Sequence, residues 1–463
     1  MPESRSPRPF LLALLASLLV TAAAHAQAKR SVIIILMDSL RADHLQTYGY
    51  DRATSPNILA FSKKATVFEQ AYPAAAWTRP SILALLTGRY SSELTTNLGG
   101  GSPLKDGHPT LASVLHSYKY TTAAFYNTAQ LDPKAANLQG FDKYVDYGDK
   151  DYVAGHVDAG VDKTIEFLDS TSKPVFVFLH VLDPHHPYLP IRDYFGNVPA
   201  QKYRDSYPLA TEMPPYRKDK IDQCALVKDW KIVPELAELY DSEIRDLDAQ
   251  VGRLLKFLEE DKRYRDATVI VTSDHGEEFG EHGGLYHGAR FYEESIRVPL
   301  IVRDPTMPHS IGRRVSSVVS LVDVAPTILQ SLGIGYSEAE YSGKSFLSYL
   351  TRRLGPPRDT AIIERLGCGY DLMATVRKGD WKMIIRITRP QIELYNLKAD
   401  PGEKHDLSES KAPRVRAAYK EVYGVFDQWF RKVNRPLSSR NGDVTPPLPP
   451  ELQERMKALG YLQ

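Results

Sequence analysis

The chain has 463 residues, 43% of them hydrophobic and 25% charged, with a formal net charge of +1. That is enough polymer for one large core and a smaller appended layer, and a neutral balance without a basic block excludes nucleic acid as the main partner. The two cysteines, Cys224 and Cys368, cannot make a zinc site by themselves, although an exported chain could pair them.

The amino terminus reads as a secretory signal over residues 1–26. Arg5 and Arg8 form a basic n-region, Phe10 to Ala24 an apolar h-region, and Ala24-His25-Ala26 offers small residues for cleavage. The apolar run is shorter than the roughly 20 residues of a membrane span. No later stretch is long and apolar enough to cross a bilayer, so the mature chain is expected to be periplasmic or secreted and to lack a transmembrane span.

Ser31 to Met37 (SVIIILM) is a continuous β-branched and aliphatic run, which predicts a strand buried on both faces. Phe176 to His180, Thr268 to Thr272 and Pro299 to Val302 read alike. From Glu235 to Leu258, Leu236, Tyr240, Ile244, Leu247, Val251, Leu254 and Leu258 recur at spacings of three and four, marking one helix face. Alternating buried strands and amphipathic helices predict an α/β fold, a large, mostly parallel sheet with helices on both faces, over residues 27–340. Residues 187–234 interrupt the pattern, rich in Pro, Tyr and Lys and without a period, as a lid or substrate wall would be. In residues 341–463, Leu372 to Val376, Trp381 to Ile387 and Ile392 to Leu397 are short strand candidates, with a turn at Lys378-Gly379-Asp380 and a helix over Pro413 to Lys432. They predict a small C-terminal antiparallel sheet with a covering helix.

In an open parallel sheet, function collects at the carboxyl edge. The first strand ends in Asp38, the Thr268 strand in Ser273-Asp274-His275-Gly276-Glu277, and the Phe176 strand in His180 followed by Asp183-Pro184-His185. Carboxylate and imidazole ligands of this kind suit one hard or borderline dication: calcium, magnesium, manganese or zinc. Pro80 suits the first turn of a helix whose amino end lies at Thr78, where free N–H groups and the dipole favour an anion. Each piece has an ordinary reading as well: a helix cap for Asp38 and Thr78, loop polarity for Asp274 and His275.

Taken in order, SVIIILMDSLRADHLQTYGY, TSPNILAFSKKATVFEQAYPAAAWTRPSILALLTGRY, FVFLHVLDPHHPY and VIVTSDHGEEFGEHG resemble the sulfatases of the alkaline phosphatase superfamily. ELYNLKADPGEKHDL and the closing KALGYL are similar to the ends of sulfatase chains. The resemblance implies that Asp38, Asp274 and His275 are metal ligands and that Thr78, also touching the metal, is the nucleophile. It implies that His185 and His287 meet the bound anion or the leaving group. Arg79, Asn97, Asn127 and His180 are its weaker matches, as substrate contacts. Two departures stand out. Sulfatases carry Cys or Ser at the nucleophile position, converted to formylglycine, which Thr78 cannot become. Their motif Arg is replaced by Ile82. Threonine nucleophiles occur in related nucleotide pyrophosphatases and phosphoethanolamine transferases, where a phospho-threonine forms.

The resemblance therefore implies a metal-dependent hydrolase of sulfate, phosphate or phosphonate esters, acting on a small anionic ester, a glycan or a lipid headgroup. The alternatives are a phospho- or sulfo-group transferase of the same fold and a metal- and anion-binding protein that has lost turnover.

Overall fold

The computed structural model describes residues 30–94, 104, 107–148, 156–172, 174–186, 188–190, 194–195, 233–351, 358–365, 372–387 and 390–433. The segment predicted as a signal peptide, both cysteines, Asn97, most of residues 187–234 and the closing KALGYL lie outside the described residues.

Fourteen strands are described. β1 is Val32–Met37, β2 Thr66–Tyr72, β3 Thr121–Tyr126, β4 Lys143–Asp146, β5 Val175–Val181, β6 Thr268–Ser273, β7 Glu278–Phe279, β8 Leu285–Tyr286, β9 Val298–Arg303 and β10 Arg313–Ser320. β11 is Thr360–Arg365, β12 Met373–Lys378, β13 Trp381–Arg386 and β14 Gln391–Asn396. The large sheet has the order β10-β2-β9-β6-β1-β5-β3-β4. All its pairings are parallel except the two made by β9, which runs against β2 and β6. β7 and β8 form a separate short hairpin.

β1 sits centrally, paired with β5 and β6. All six of its residues are buried. Successive strand side chains point to opposite faces, and here both faces are covered. Val32, Ile34 and Leu36 join the apolar layer that contains helix α1 (Thr78–Thr87). Ile33, Ile35 and Met37 join the layer built from helices α2 (Val157–Asp169) and α3 (Val233–Glu260). The predicted stripe on α3 is buried along its length, from Leu236 to Leu258. Among the described residues, no helix is long and apolar enough to cross a membrane.

The second sheet, β11-β12-β13-β14, is antiparallel throughout. One face (Val376, Met383, Leu394) packs on Tyr419, Phe426 and Phe430 of helix α4 (Pro413–Val433). The other face (Ile363, Met373, Ile384) packs on Tyr72, Phe291 and Ile296 of the large unit. The core of the large sheet continues past residue 340, because Phe346, Tyr349 and Leu350 close over Phe68, with the Phe68 and Phe346 rings 4.8 Å apart.

Candidate active site

Parallel strands bring their carboxyl ends to one edge, and that edge collects the residues singled out by the sequence. Asp38 follows β1, Asn127 follows β3, and Asp274 and His275 follow β6. His180 is the penultimate residue of β5, and His185 lies in the loop beyond it. Thr78 is the first residue of the ten-residue helix α1. The residue before it, Trp77, is the N-cap and makes no side-chain cap bond. The Thr78 hydroxyl therefore does not cap its helix. It turns toward the sheet edge, 3.4 Å from Asp38 Oδ2 and 3.4 Å from His275 Nε2. Contacts this long lie outside the 2.5–3.0 Å range of a good O–H···O bond, so they mark convergence on a common point rather than strong bonding.

A turn in an uncommon conformation orients the first carboxylate. Ser39 has φ 58°, a left-handed conformation that costs a non-glycine residue on the order of 1 kcal/mol. It is held by Ser39 N donating to Asp274 Oδ1 at 3.2 Å, Leu40 N donating to Ser273 Oγ at 2.9 Å and Tyr240 Oη donating to the Ser39 carbonyl at 2.8 Å. His180 stands beneath Asp38, its Nε2 3.2 Å from Oδ2, and Tyr147 Oη donates to the His180 carbonyl at 2.7 Å. His275 Nδ1 is 3.0 Å from the Gly276 carbonyl, which can only accept, so Nε2 keeps its lone pair toward Asp38 and Thr78. Gly276 is required by close approach: a Cβ there would stand 2.0 Å from the Glu294 carbonyl oxygen. Ser81 Oγ, one turn along α1, donates to the Asp274 carbonyl at 2.7 Å and ties the helix to β6.

Asp38, Asp274 and His275 are all buried, and one ligand atom from each lies within 4.8 Å of the others. Asp274 Oδ2 is buried without a hydrogen-bond partner. Burial pushes the Asp274 carboxyl well above the usual carboxylate range, and the Asp38 charge adds to this. Burial opposes ionisation of Asp38 too, but the imidazoles of His185, His180 and His275 outweigh it and hold that carboxyl well below its usual range. Burial lowers the imidazoles of His185 and His275, and those of His186 and His287 fall further. Among the described residues, neither carboxylate is paired with Lys or Arg. Two buried carboxylates, a neutral imidazole and an unsatisfied oxygen fit a hard or borderline dication, which would let both carboxylates ionise together.

The other sequence candidates are placed as follows. His185 and His287 face each other across the site with ring centroids 5.0 Å apart, and His287 lies 4.2 Å from His275. Asn127 is fully buried with both amide atoms unpartnered, and it leans on Gly148, where a Cβ would stand 1.7 Å from its Oδ1. Arg79 Nε donates to the Gln130 carbonyl at 3.0 Å. Ile82, at the position of the sulfatase motif arginine, is fully buried in the apolar layer with Leu83 and Leu86. Sequence reasoning missed Ser81, Tyr147, His186 and Glu277. The signals for two of these were present: His186 adjoins His185, and Glu277 follows Asp274-His275-Gly276 directly.

A doubly wound sheet with acidic, imidazole and hydroxyl groups converging at a helix amino end defines the class, a sulfuric or phosphoric ester hydrolase of the alkaline phosphatase type. The chain belongs to the sulfatase family: the sulfatase family profile matches residues 30–334, and that of the N-sulphoglucosamine sulphohydrolase C-terminal region matches residues 280–422. The choline-sulfatase of Rhizobium meliloti is 24% identical over 440 residues, 82% of this chain and 83% of that protein. The N-acetylglucosamine-6-O-sulfatase of Bacteroides thetaiotaomicron is 25% identical over 496 residues, 86% of each. Among solved structures, the phosphonate monoester hydrolase of Agrobacterium radiobacter superposes with a TM-score of 0.67 at 20% identity, covering 90% of this chain and all of that one.

Proposed function

We propose that this protein is an exported, metal-dependent hydrolase of phosphate or phosphonate esters that uses the Thr78 hydroxyl as its nucleophile. The observation that carries the reading is the position of that hydroxyl, 3.4 Å from both Asp38 Oδ2 and His275 Nε2, at a helix end whose dipole favours an anion. Asp38, Asp274 and His275, with Thr78, would hold one divalent cation. When bound, it lowers the hydroxyl pKa and balances charge on the transferring group.

The Thr78 oxygen attacks phosphorus, the bond to the ester oxygen breaks, and the alcohol leaves with the proton that the threonine gave up. His185 and His287 hold the anion and carry that proton between the two oxygens. Water then attacks the phosphoryl group on Thr78, restoring the hydroxyl and releasing phosphate or phosphonate. His180 positions Asp38, and Asn127 with its unpaired amide contributes donors to the anion. Arg79 completes the substrate contacts, and the sulfatase resemblance implies the same role for Asn97, which lies outside the described residues. The curated relatives named for sulfate esters of choline and N-acetylglucosamine support a small anionic or glycan ester, with sulfate as a further group transferred.

One observation favours a second reading, metal and anion binding without turnover: Ile82 puts core hydrocarbon where the family motif has a guanidinium. A panel of aryl phosphate, phosphonate and sulfate esters, run after metal analysis of the protein expressed with its signal, separates the two. Metal-dependent turnover lost in Thr78→Ala is the expected result. Tight metal and anion binding with no turnover on any ester would replace the first reading with the second.

A further inference from the structure

A second set of metal-type donors stands at the same sheet edge. His185, His186 and His287 each offer a ring nitrogen within 4.8 Å of the other two. The His185 and His186 rings are stacked with centroids 4.3 Å apart, and His287 is tilted against both, with its centroid 5.0 Å from His185 and 5.9 Å from His186. Tyr286 closes one side, its ring 4.5 Å from His186.

Their outer hydrogen bonds prepare them as ligands. His185 Nδ1 is 2.6 Å from the His186 carbonyl, which only accepts, so the proton sits on Nδ1 and Nε2 keeps its lone pair. His287 Nδ1 is 3.0 Å from Glu277 Oε1, the carboxylate–imidazole pairing that commonly stands behind a metal-binding histidine. His186 Nδ1 is buried and has no hydrogen-bond partner. A set of imidazole nitrogens without an oxygen ligand suits a borderline dication such as zinc and disfavours calcium or magnesium.

We propose that His185, His186 and His287 form a second cation site, selective for zinc-type ions, beside the carboxylate site of Asp38, Asp274 and His275. The two sites share a wall, since the His275 and His287 rings are 4.2 Å apart. The inference rests on the proposed function only for its place beside a reactive hydroxyl: an ion on the free nitrogens of His185 and His287 takes the atoms that there hold the anion and carry the proton, so zinc and ester compete for the pair, and the binding itself is tested without turnover.

The full chain is stripped of metal, saturated with calcium and titrated with zinc by calorimetry and with cobalt by visible absorption. The expected result is one further equivalent of either ion, with the intense bands of four-coordinate cobalt. Glu277→Gln, which keeps the side-chain shape, should weaken zinc binding about 10- to 100-fold, and His186→Ala, which removes a ligand at a partly exposed position, should weaken it at least as much, while calcium uptake is unchanged in both. Asp274→Asn should lose calcium and retain zinc. Zinc uptake that disappears in Asp274→Asn and survives in His186→Ala would overturn the second site, as would no uptake beyond calcium. If zinc is taken up without any calcium, the same two variants decide: uptake kept in Asp274→Asn and lost in His186→Ala supports the imidazole site, and the reverse overturns it.

Discussion

Replacing Thr78 with alanine should separate chemistry from stability. The hydroxyl makes only two contacts, both at 3.4 Å, and caps nothing, so its removal costs less than about 1 kcal/mol of hydrogen bonding. The lost methyl of this 5% exposed side chain costs roughly another 1 kcal/mol, and alanine returns about half of that through its helix propensity. A net loss near 1 kcal/mol lowers the melting temperature of the metal-stripped protein by no more than about 3 °C in a chain of this size. If Thr78 is the nucleophile, kcat/KM should fall at least about 10³-fold, or roughly 4 kcal/mol of barrier. Thr78→Ser keeps the oxygen and should stay within about tenfold of wild type, having lost only the methyl and its hold on the rotamer. The assay is release of aryl alcohol from the best ester of the panel, with a thermal melt on the same samples and mass spectrometry of the Thr78 peptide after acid quench. An alanine variant keeping more than about a tenth of wild-type kcat/KM would refute the reasoning, as would a phosphoryl adduct on another residue.

Three further outcomes follow from the packing. Chelation should lower the melting temperature, since an ion at 100 times its Kd contributes about 2.7 kcal/mol; Asp274→Asn should raise the melting temperature of the stripped protein by relieving the Asp38–Asp274 repulsion and should abolish the response to added calcium, and a variant still stabilised by calcium would contradict this. Glu364 is buried against Ser91 and Ser92, and burial pushes its carboxyl up to about 7; between the ordinary carboxylate range and pH 7 the folded state keeps a proton that the unfolded chain has released, so stability should fall as pH rises through that window, and Glu364→Gln should flatten the decline seen in urea melts. Lys382 is fully buried between Glu293 at 3.1 Å and Glu403 at 2.8 Å, and Lys382→Met should cost about 3–5 kcal/mol by leaving those acids uncompensated; a loss below about 1 kcal/mol in a urea titration would show that the acids simply take up protons.

Much of the fold was legible because the central strands are buried on both faces and read as unbroken apolar runs. β1, β5 and β6 lie within a residue or two of their predicted spans, and α3 extends its predicted span, Glu235 to Leu258, by two residues at each end. What periodicity cannot carry is direction. Nothing local to Val298–Arg303 says that it runs against its neighbours, since a doubly buried strand looks the same either way. β11 was not anticipated: Thr360–Arg365 has one short apolar core, and its place comes from pairing with β12. In the site, Asp38, Asp274 and His275 could be read because strand ends mark them. His186 and Glu277 could not be given roles, because their significance arises only when the β5 and β6 loops meet. Thr78 could be read as a cap or a nucleophile until the helix boundary placed the cap at Trp77.

The hydrogen bonds from Ser91 and Ser92 to Glu364 bear on more than pH. These serines come four and five residues after the end of α1, so the appended sheet holds the segment that follows the far end of the helix whose near end carries Thr78. The C-terminal layer thus acts as an anchor point for the helix that carries Thr78. Substitutions there, remote from any ester, should surface as altered turnover by letting α1 slide along its axis. Domain swaps among relatives would then need to exchange that layer together with α1.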